Sequence, residues 1–430
     1  MRSILGFAVA AALLAPAAPA ADGPGLPNLT YSSSELFRSL SVIRVTGGSR
    51  IRGQGSVAMH NGYLVVIYAP DSGRTGGGFS FYDISNPRSP RQVLKRDVTA
   101  IREPHGFGFS SSYPGDYVVL QAERGIQFWD WSDAANPVLL NYMTLPGVSE
   151  SDYSTGAWWC FWQAPYVYVG GSGNGIFVVD ARNPRSPVLL KQVPRSQTGN
   201  FRVGPVLAVG NLLWISSMDQ SGYAALDISD PANPTVLRTV TNGPDVYSSM
   251  VNGNRFFGAG NDGKLYIYDV SDPRQIRLLR ASAGMGGKSG YLTVQDGFAH
   301  VGASNNYAKV NIGTGAVANR GSSGISGRDE DFATVLGNLV MVSNDHGEGS
   351  AIMPHQTAPD RTGPSVNMVV PADGAVSQAR SSRVGITLTD LVDVASLGSQ
   401  TFIVRPVGGA ALPGKYSTQT GIVNFTPDSP

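Results

Sequence analysis

The residues best equipped for chemistry form a scattered, mixed-sign set: Glu103, His105, Asp152, Arg202, Lys288, Arg328 and Asp329. Glu103-Pro104-His105 has the composition of an acid/base pair, though no nucleophile or oxyanion partner accompanies it. Arg328-Asp329-Glu330-Asp331 alternates charge, which suits a cation held by carboxylates or simple internal pairing. Asn344-Asp345-His346-Gly347-Glu348 is rich in oxygen ligands but lacks the positional pattern of a calcium loop. No cofactor is therefore expected, calcium being the one candidate cation. A helical pair of zinc-binding histidines, a phosphate loop, a Gly-x-Ser-x-Gly elbow and a dinucleotide fingerprint are all missing. The aromatic run Trp158-Trp159-Cys160-Phe161-Trp162 could stack a sugar, but alternation along a strand favours core packing, with its lone Cys160 as a core residue.

Whether these groups meet depends on the elements that carry them. Five strand-like runs end on an aspartate, at Asp83, Asp130, Asp180, Asp227 and Asp269, separated by 42 to 50 residues. Four of these aspartates open a turn of the type Asp83-Ile84-Ser85-Asn86-Pro87 or Asp269-Val270-Ser271-Asp272-Pro273. Proline fixes φ there, and the Asp, Ser and Asn side chains can bond nearby amides, so these aspartates are read as structural. A second turn recurs at Asn61-Gly62, Gly210-Asn211, Asn252-Gly253, Asp296-Gly297 and Gly337-Asn338, which are two-residue hairpin signals. Together the turns divide each unit into strands a, b, c and d. Degenerate copies at Lys309-Val310-Asn311 and Ile352-Met353-Pro354 bring the count to seven. A period of this length with four strands per unit is the mark of propeller blades.

The last unit lacks a strand d, while Leu40–Thr46 stands unpaired ahead of the first. Pairing that segment with strand c of the last unit closes the ring and covers an exposed edge. Runs such as Ile176-Phe177-Val178-Val179-Asp180 and Leu265-Tyr266-Ile267-Tyr268-Asp269 resemble the LVIVD-repeat family. The resemblance implies a propeller in a secreted or cell-surface protein, and no settled reaction.

Residues 1–20 read as a signal peptide, with Arg2, an apolar run over Ile4 to Leu14 and Ala18-Pro19-Ala20 as the cleavage site. The expected organisation is a signal peptide over 1–20, a linker over 21–35, the seven-bladed propeller over 36–358, a linker over 359–363 and an Ig-like domain over 364–430. Within the last part, strands are expected at Val366–Val370, Val384–Thr389, Thr401–Val407 and Ile422–Phe425. Pro371-Ala372-Asp373-Gly374-Ala375 and Asn424-Phe425-Thr426-Pro427 resemble bacterial SbsA-type Ig-like domains. An Ig-like sandwich needs about seven strands over ~100 residues, so this one is expected to be partial, a piece of a longer surface protein, and less stable than the ring.

The fold class is thus all-β: a propeller with an N-terminal strand closing its last blade, followed by an incomplete Ig-like sandwich. With 32 basic and 31 acidic residues, no basic surplus points to nucleic acid, and no apolar stretch is long enough to span a bilayer. The expected location is secreted, periplasmic or cell-surface, with a protein or carbohydrate partner. On a propeller, the d–a and b–c loops share one face around the channel and would gather the mixed-sign set there. The leading reading is a non-enzymatic binding or scaffold protein using that face. The alternatives are a propeller hydrolase using carboxylates and His105, and a calcium-stabilised carbohydrate-binding module. A deep channel with converging carboxylates and histidine favours the enzyme; a plugged one favours the scaffold.

Overall fold

The computed structural model describes residues 23–45, 53–69, 77–101, 109–113, 116–149, 154–325, 329–344, 349–379, 381–393 and 396–429. The signal peptide expected over 1–20 lies outside them. Apart from one 3-10 turn at Arg195–Gln197, the named elements are β-strands.

Antiparallel pairing groups the strands into successive four-stranded units. The first holds β2 (Gly53–His60), β3 (Tyr63–Ala69), β4 (Gly77–Asp83) and β5 (Arg91–Val98). The second holds β6 (Phe109–Tyr113) to β9 (Val138–Thr144), and the third β10 (Trp159–Gln163) to β13 (Val188–Val193). The fourth and fifth share β17 (Thr235–Asn252), which ends one unit and opens the next between β14 (Val203–Val209) and β20 (Arg277–Ala281). The sixth runs from β21 (Leu292–Gln295) to β24 (Val317–Gly321). Finally β25 (Phe332–Leu336), β26 (Leu339–Ser343) and β27 (Ser350–Pro354) are completed by β1 (Ser41–Ile43), in register Ser41 opposite Ile352.

Burial explains the order of strands. The a strands β10 and β14 are buried throughout, whereas d strands such as β13 and β20 alternate or stay exposed. First strands also touch one another from unit to unit: β10 with β6 and β14, β14 with β17, β17 with β21, β21 with β25. They are the innermost strands. The apolar clusters between units follow a closed circuit. One joins the first and second units through Phe79, Trp129 and Trp131; another joins the last and first through Leu64, Tyr68, Met341 and Ile352. Residues 23–35 are held on this circuit too, with the Tyr31 amide donating to the Thr357 carbonyl and its ring buried.

The aspartates at the strand ends are bonded as turn caps. Asp83 Oδ1 accepts from the Ser85 amide and hydroxyl, and Asp130, Asp227 and Asp269 do the same for Ser132, Ser229 and Ser271, at least through the amide. Asp180 accepts from the Arg182 amide.

The C-terminal part forms β28 (Val366–Val370), β29 (Val384–Leu388), β30 (Gly414–Gln419) and β31 (Ile422–Pro427), paired in the order β28-β29-β31-β30. Thr401–Val407, expected as a strand, is irregular: Phe402 and Val404 are buried in this domain's core, but Pro406 and the Gly408-Gly409 turn interrupt a ladder. The strand missing from the expectation is β30. Its outer edge pairs with β6, the innermost strand of the second unit, with Tyr416 opposite Tyr113 and Thr418 opposite Ser111. A strand added to the inner edge of an innermost strand lies in the central space of the ring. The β30–β31 hairpin therefore enters the channel, turning at Thr420-Gly421, both with positive φ.

Candidate functional site

The hairpin enters from the face of the a–b turns and is fixed there by buried amides. Asn424, fully buried, accepts from the Gly210 amide (2.8 Å) and Gln163 Nε2 (2.9 Å), and donates to the Ala208 carbonyl (2.9 Å). Gln419 reaches deeper, accepting from Trp159 Nε1 (2.8 Å) and donating to the Cys160 carbonyl (3.0 Å). Around the hairpin, Thr387 Oγ1 accepts from the Gly253 amide, Asn252 Nδ2 donates to the Leu388 carbonyl, and Asp393 accepts from the Asn61 and Gly62 amides. Gly210 and Gly385 meet backbone to backbone; a Cβ on Gly385 would overlap the Gly210 nitrogen. One mouth of the channel is filled by the chain's own C-terminal domain.

Above the hairpin, aromatic side chains from the first residues of β10 and β25, from within β17 and from beside β21 close the channel. Tyr291 stacks on Phe332 with centroids 4.2 Å apart, and lies 5.2 Å from Tyr247 and 6.1 Å from Trp159. All four are buried. They form the floor of the opposite mouth, the one bounded by d–a and b–c loops.

On that rim the structure places three of the sequence candidates. Lys288 Nζ sits 4.1 Å above the Tyr247 ring and 3.0 Å from Asp219 Oδ1, a half-exposed ion pair. Asn261 Nδ2 donates to the same Asp219 oxygen at 3.4 Å. Arg202, at the start of the unit that carries Asp219, receives its place from its amide, which donates to Gln220 Oε1 (3.0 Å), and from a long 3.5 Å bond to the Met218 carbonyl. Asp329 is held by its amide on Asn344 Oδ1. Its neighbour Glu330 is fully buried, its Oε1 accepting from the Ser323 amide (2.8 Å) and hydroxyl (2.7 Å), so this acidic run ties two loops together. Glu103, His105, Asp152 and Arg328 lie outside the described residues, as do Asp345, His346 and Glu348. Among the described residues, no three His, Cys, Asp or Glu side chains are grouped so as to hold a metal ion.

Sequence reasoning named Lys288 but missed both its pairing with Asp219 and the floor beneath it. The signal was present: an aromatic residue opens strand a, or the approach to it, at Trp159, Tyr247, Tyr291 and Phe332. Cys160 is fully buried and burial pushes its thiol upward, as a core residue requires. The remaining tryptophans of that run are buried as well.

Comparisons with known proteins agree with this architecture. The LVIVD repeat matches residues 165–194 and 206–242, and the bacterial Ig-like domain matches residues 360–430. No curated protein matches in sequence. Among solved structures, the β-propeller domain of Cps50 (Swd1) from Myceliophteria thermophila is similar with a TM-score of 0.50 at 11% identity, covering 74% of this chain and 98% of that one. Sqt1 of Saccharomyces cerevisiae gives a TM-score of 0.51 at 10% identity, over 74% and 99% of the two chains. At such identities the likeness speaks for the fold alone. No described helix is long and apolar enough to cross a membrane, and a bacterial Ig-like domain is compatible with an extracellular setting. The chain is a β-propeller built with LVIVD repeats and joined to a bacterial Ig-like domain.

Proposed function

We propose that this is an exported binding or scaffold protein whose ring has seven blades and whose ligand seats on the d–a/b–c mouth. The observation that carries the reading is the blocked channel. With the hairpin in one mouth and an aromatic layer beneath the other, the described residues leave the channel blocked rather than open along its length. Loops on a rigid scaffold commonly bear the binding residues, and an aromatic floor rimmed by Lys288, Asp219 and Arg202 offers stacking area with both charge signs. A polar or zwitterionic ligand, such as a surface glycan or a peptide, matches that lining better than a polyanion, which calls for clustered Arg and Lys.

The test is a glycan and peptide array probed with the full chain, followed by titration of any hit against Lys288→Ala and Arg202→Ala. A drop in affinity of about tenfold for either change is expected, the loss of ~1.4 kcal/mol. A specific hit whose affinity neither substitution alters would place the site elsewhere.

A further inference from the structure

We propose that a second site lies on the opposite face: a crevice of about 410 Å³ between the Ig-like domain and the outer turns of the third and fourth units, binding a small carboxylate carried on a ring-sized body. The argument starts from Arg383. Its side chain lines the crevice yet is only 3% exposed as a residue. One Nη donates to the Ile228 carbonyl, while Nε finds no acceptor and no carboxylate pairs with the group among the described residues. A guanidinium cannot shed its proton to escape burial, and a buried charge without a counter-ion is strongly unfavourable. An anion in the crevice supplies what the fold leaves out.

The surroundings fit that occupant. Arg182 and Lys415 also line the crevice, giving three cations against the one carboxylate of Asp428. Lys415 pairs with Asp428 at 2.8 Å, and Arg182 lies 3.5 Å from Asp180 and donates to the Tyr166 hydroxyl at 3.0 Å. Each of these rim cations has its own counter-charge; Arg383 has none among the described residues. The planar fork of arginine is matched to a carboxylate. The rest of the lining is Tyr166 and prolines 165, 231 and 427 beside the hydroxyls of Ser229 and Ser381, an apolar face with polar edges that suits a sugar-sized ring.

Glucuronate, glucose and inorganic phosphate would be titrated calorimetrically into the full chain and into Lys415→Gln and Arg383→Met. Glucuronate should bind, glucose at least about tenfold more weakly, and Lys415→Gln should cost about three- to tenfold in affinity, with the binding weakening as salt rises. Arg383→Met should abolish glucuronate binding while leaving the unfolding midpoint unchanged or higher, because it removes an unpaired buried charge. A midpoint that falls sharply in Arg383→Met assigns the arginine a structural role and overturns the proposal. Equal binding of glucose, phosphate binding in place of glucuronate, or no glucuronate binding at tens of millimolar would each overturn it as well. The site lies on the face away from Lys288 and Arg202, so its failure leaves the reading of the other mouth standing.

Discussion

Acid should weaken the ring at one identifiable place, the packing of the sixth unit against the last. His300 and His355 are both buried there, with ring centroids 4.7 Å apart. His355 Nε2 donates to the Gly337 carbonyl (2.9 Å), leaving Nδ1 to accept from Lys309 Nζ (3.1 Å). The neutral imidazole fits this arrangement; a second ring proton would face an ammonium. Burial, with Lys309 adding to it, lowers His355 from 6.5 to about 4, and burial lowers His300 in the same direction. The unfolded chain therefore takes up these protons first, so stability is intact above pH 6.5 and is lost as pH falls toward 4. At ~1.36 kcal/mol per pH unit, His355 alone accounts for about 3 kcal/mol over that window, a large share of a typical domain stability of ~5–15 kcal/mol. Asp390 acts with the opposite sign: burial raises it to about 6, with Asp360 and Asp296 adding to that, so its contribution improves as pH falls. A difference between proteins removes that background. Urea unfolding at pH 7.5 and 4.5 should show the natural chain losing about 2–3 kcal/mol more than His355→Gln, whose amide can keep both hydrogen bonds. Parallel pH profiles for the two proteins would refute the assignment.

Three further outcomes follow from the turns and the seam. Asp269→Ala removes bonds to the Ser271 amide and hydroxyl and to Arg277 at an exposed turn, and should cost about 1 kcal/mol in urea unfolding. Gly385→Ala drives a methyl into the Gly210 backbone and should destabilise by about 1–3 kcal/mol, with faster proteolysis between residues 359 and 363. Truncation after Ala358 should lower the melting temperature of the ring by several degrees, because Ile422 is part of the same apolar cluster as Trp159 and Val206; an unchanged melting temperature would show the ring to be independent of its tail.

The repeat was legible because its punctuation is chemical: an Asp that bonds the next amides but one, then a proline or hairpin glycine, recurring with each unit. Closure by the segment around Ser41–Ile43 followed from counting strands. What stayed hidden was the relation between the two domains. Lys415-Tyr416-Ser417-Thr418-Gln419 is absent from the expected strands, since its polar residues find their partners on strands far away in the chain. Conversely Phe402, Ile403 and Val404 read as a strand, although two of them fill a core without joining a ladder. Arg383 gave no signal in sequence either, because its burial comes from a turn of the fourth unit closing over it.

The seam between the domains is polar where a simple hydrophobic contact would have sufficed, and this makes its register testable. An apolar plug could slide within the ring, whereas buried amides accept one alignment only. Asn424 is the tightest such point: its oxygen satisfies Gly210 and Gln163, and its nitrogen satisfies Ala208, with no exposed surface. Asn424→Leu keeps the volume but withdraws all three partners. Gln163 retains its bond to the Gly210 carbonyl (2.7 Å), so the Gly210 amide bears most of the loss. At ~1–3 kcal/mol for a buried donor left unmade, with the lost amide bonds added, the substitution should cost about 2–4 kcal/mol. Because β30 remains paired with β6 only while the hairpin is seated, amide exchange should accelerate in both strands together. Destabilisation without that paired response would mean that the hairpin stays in the channel whether or not its amides are bonded, and that packing alone sets its place.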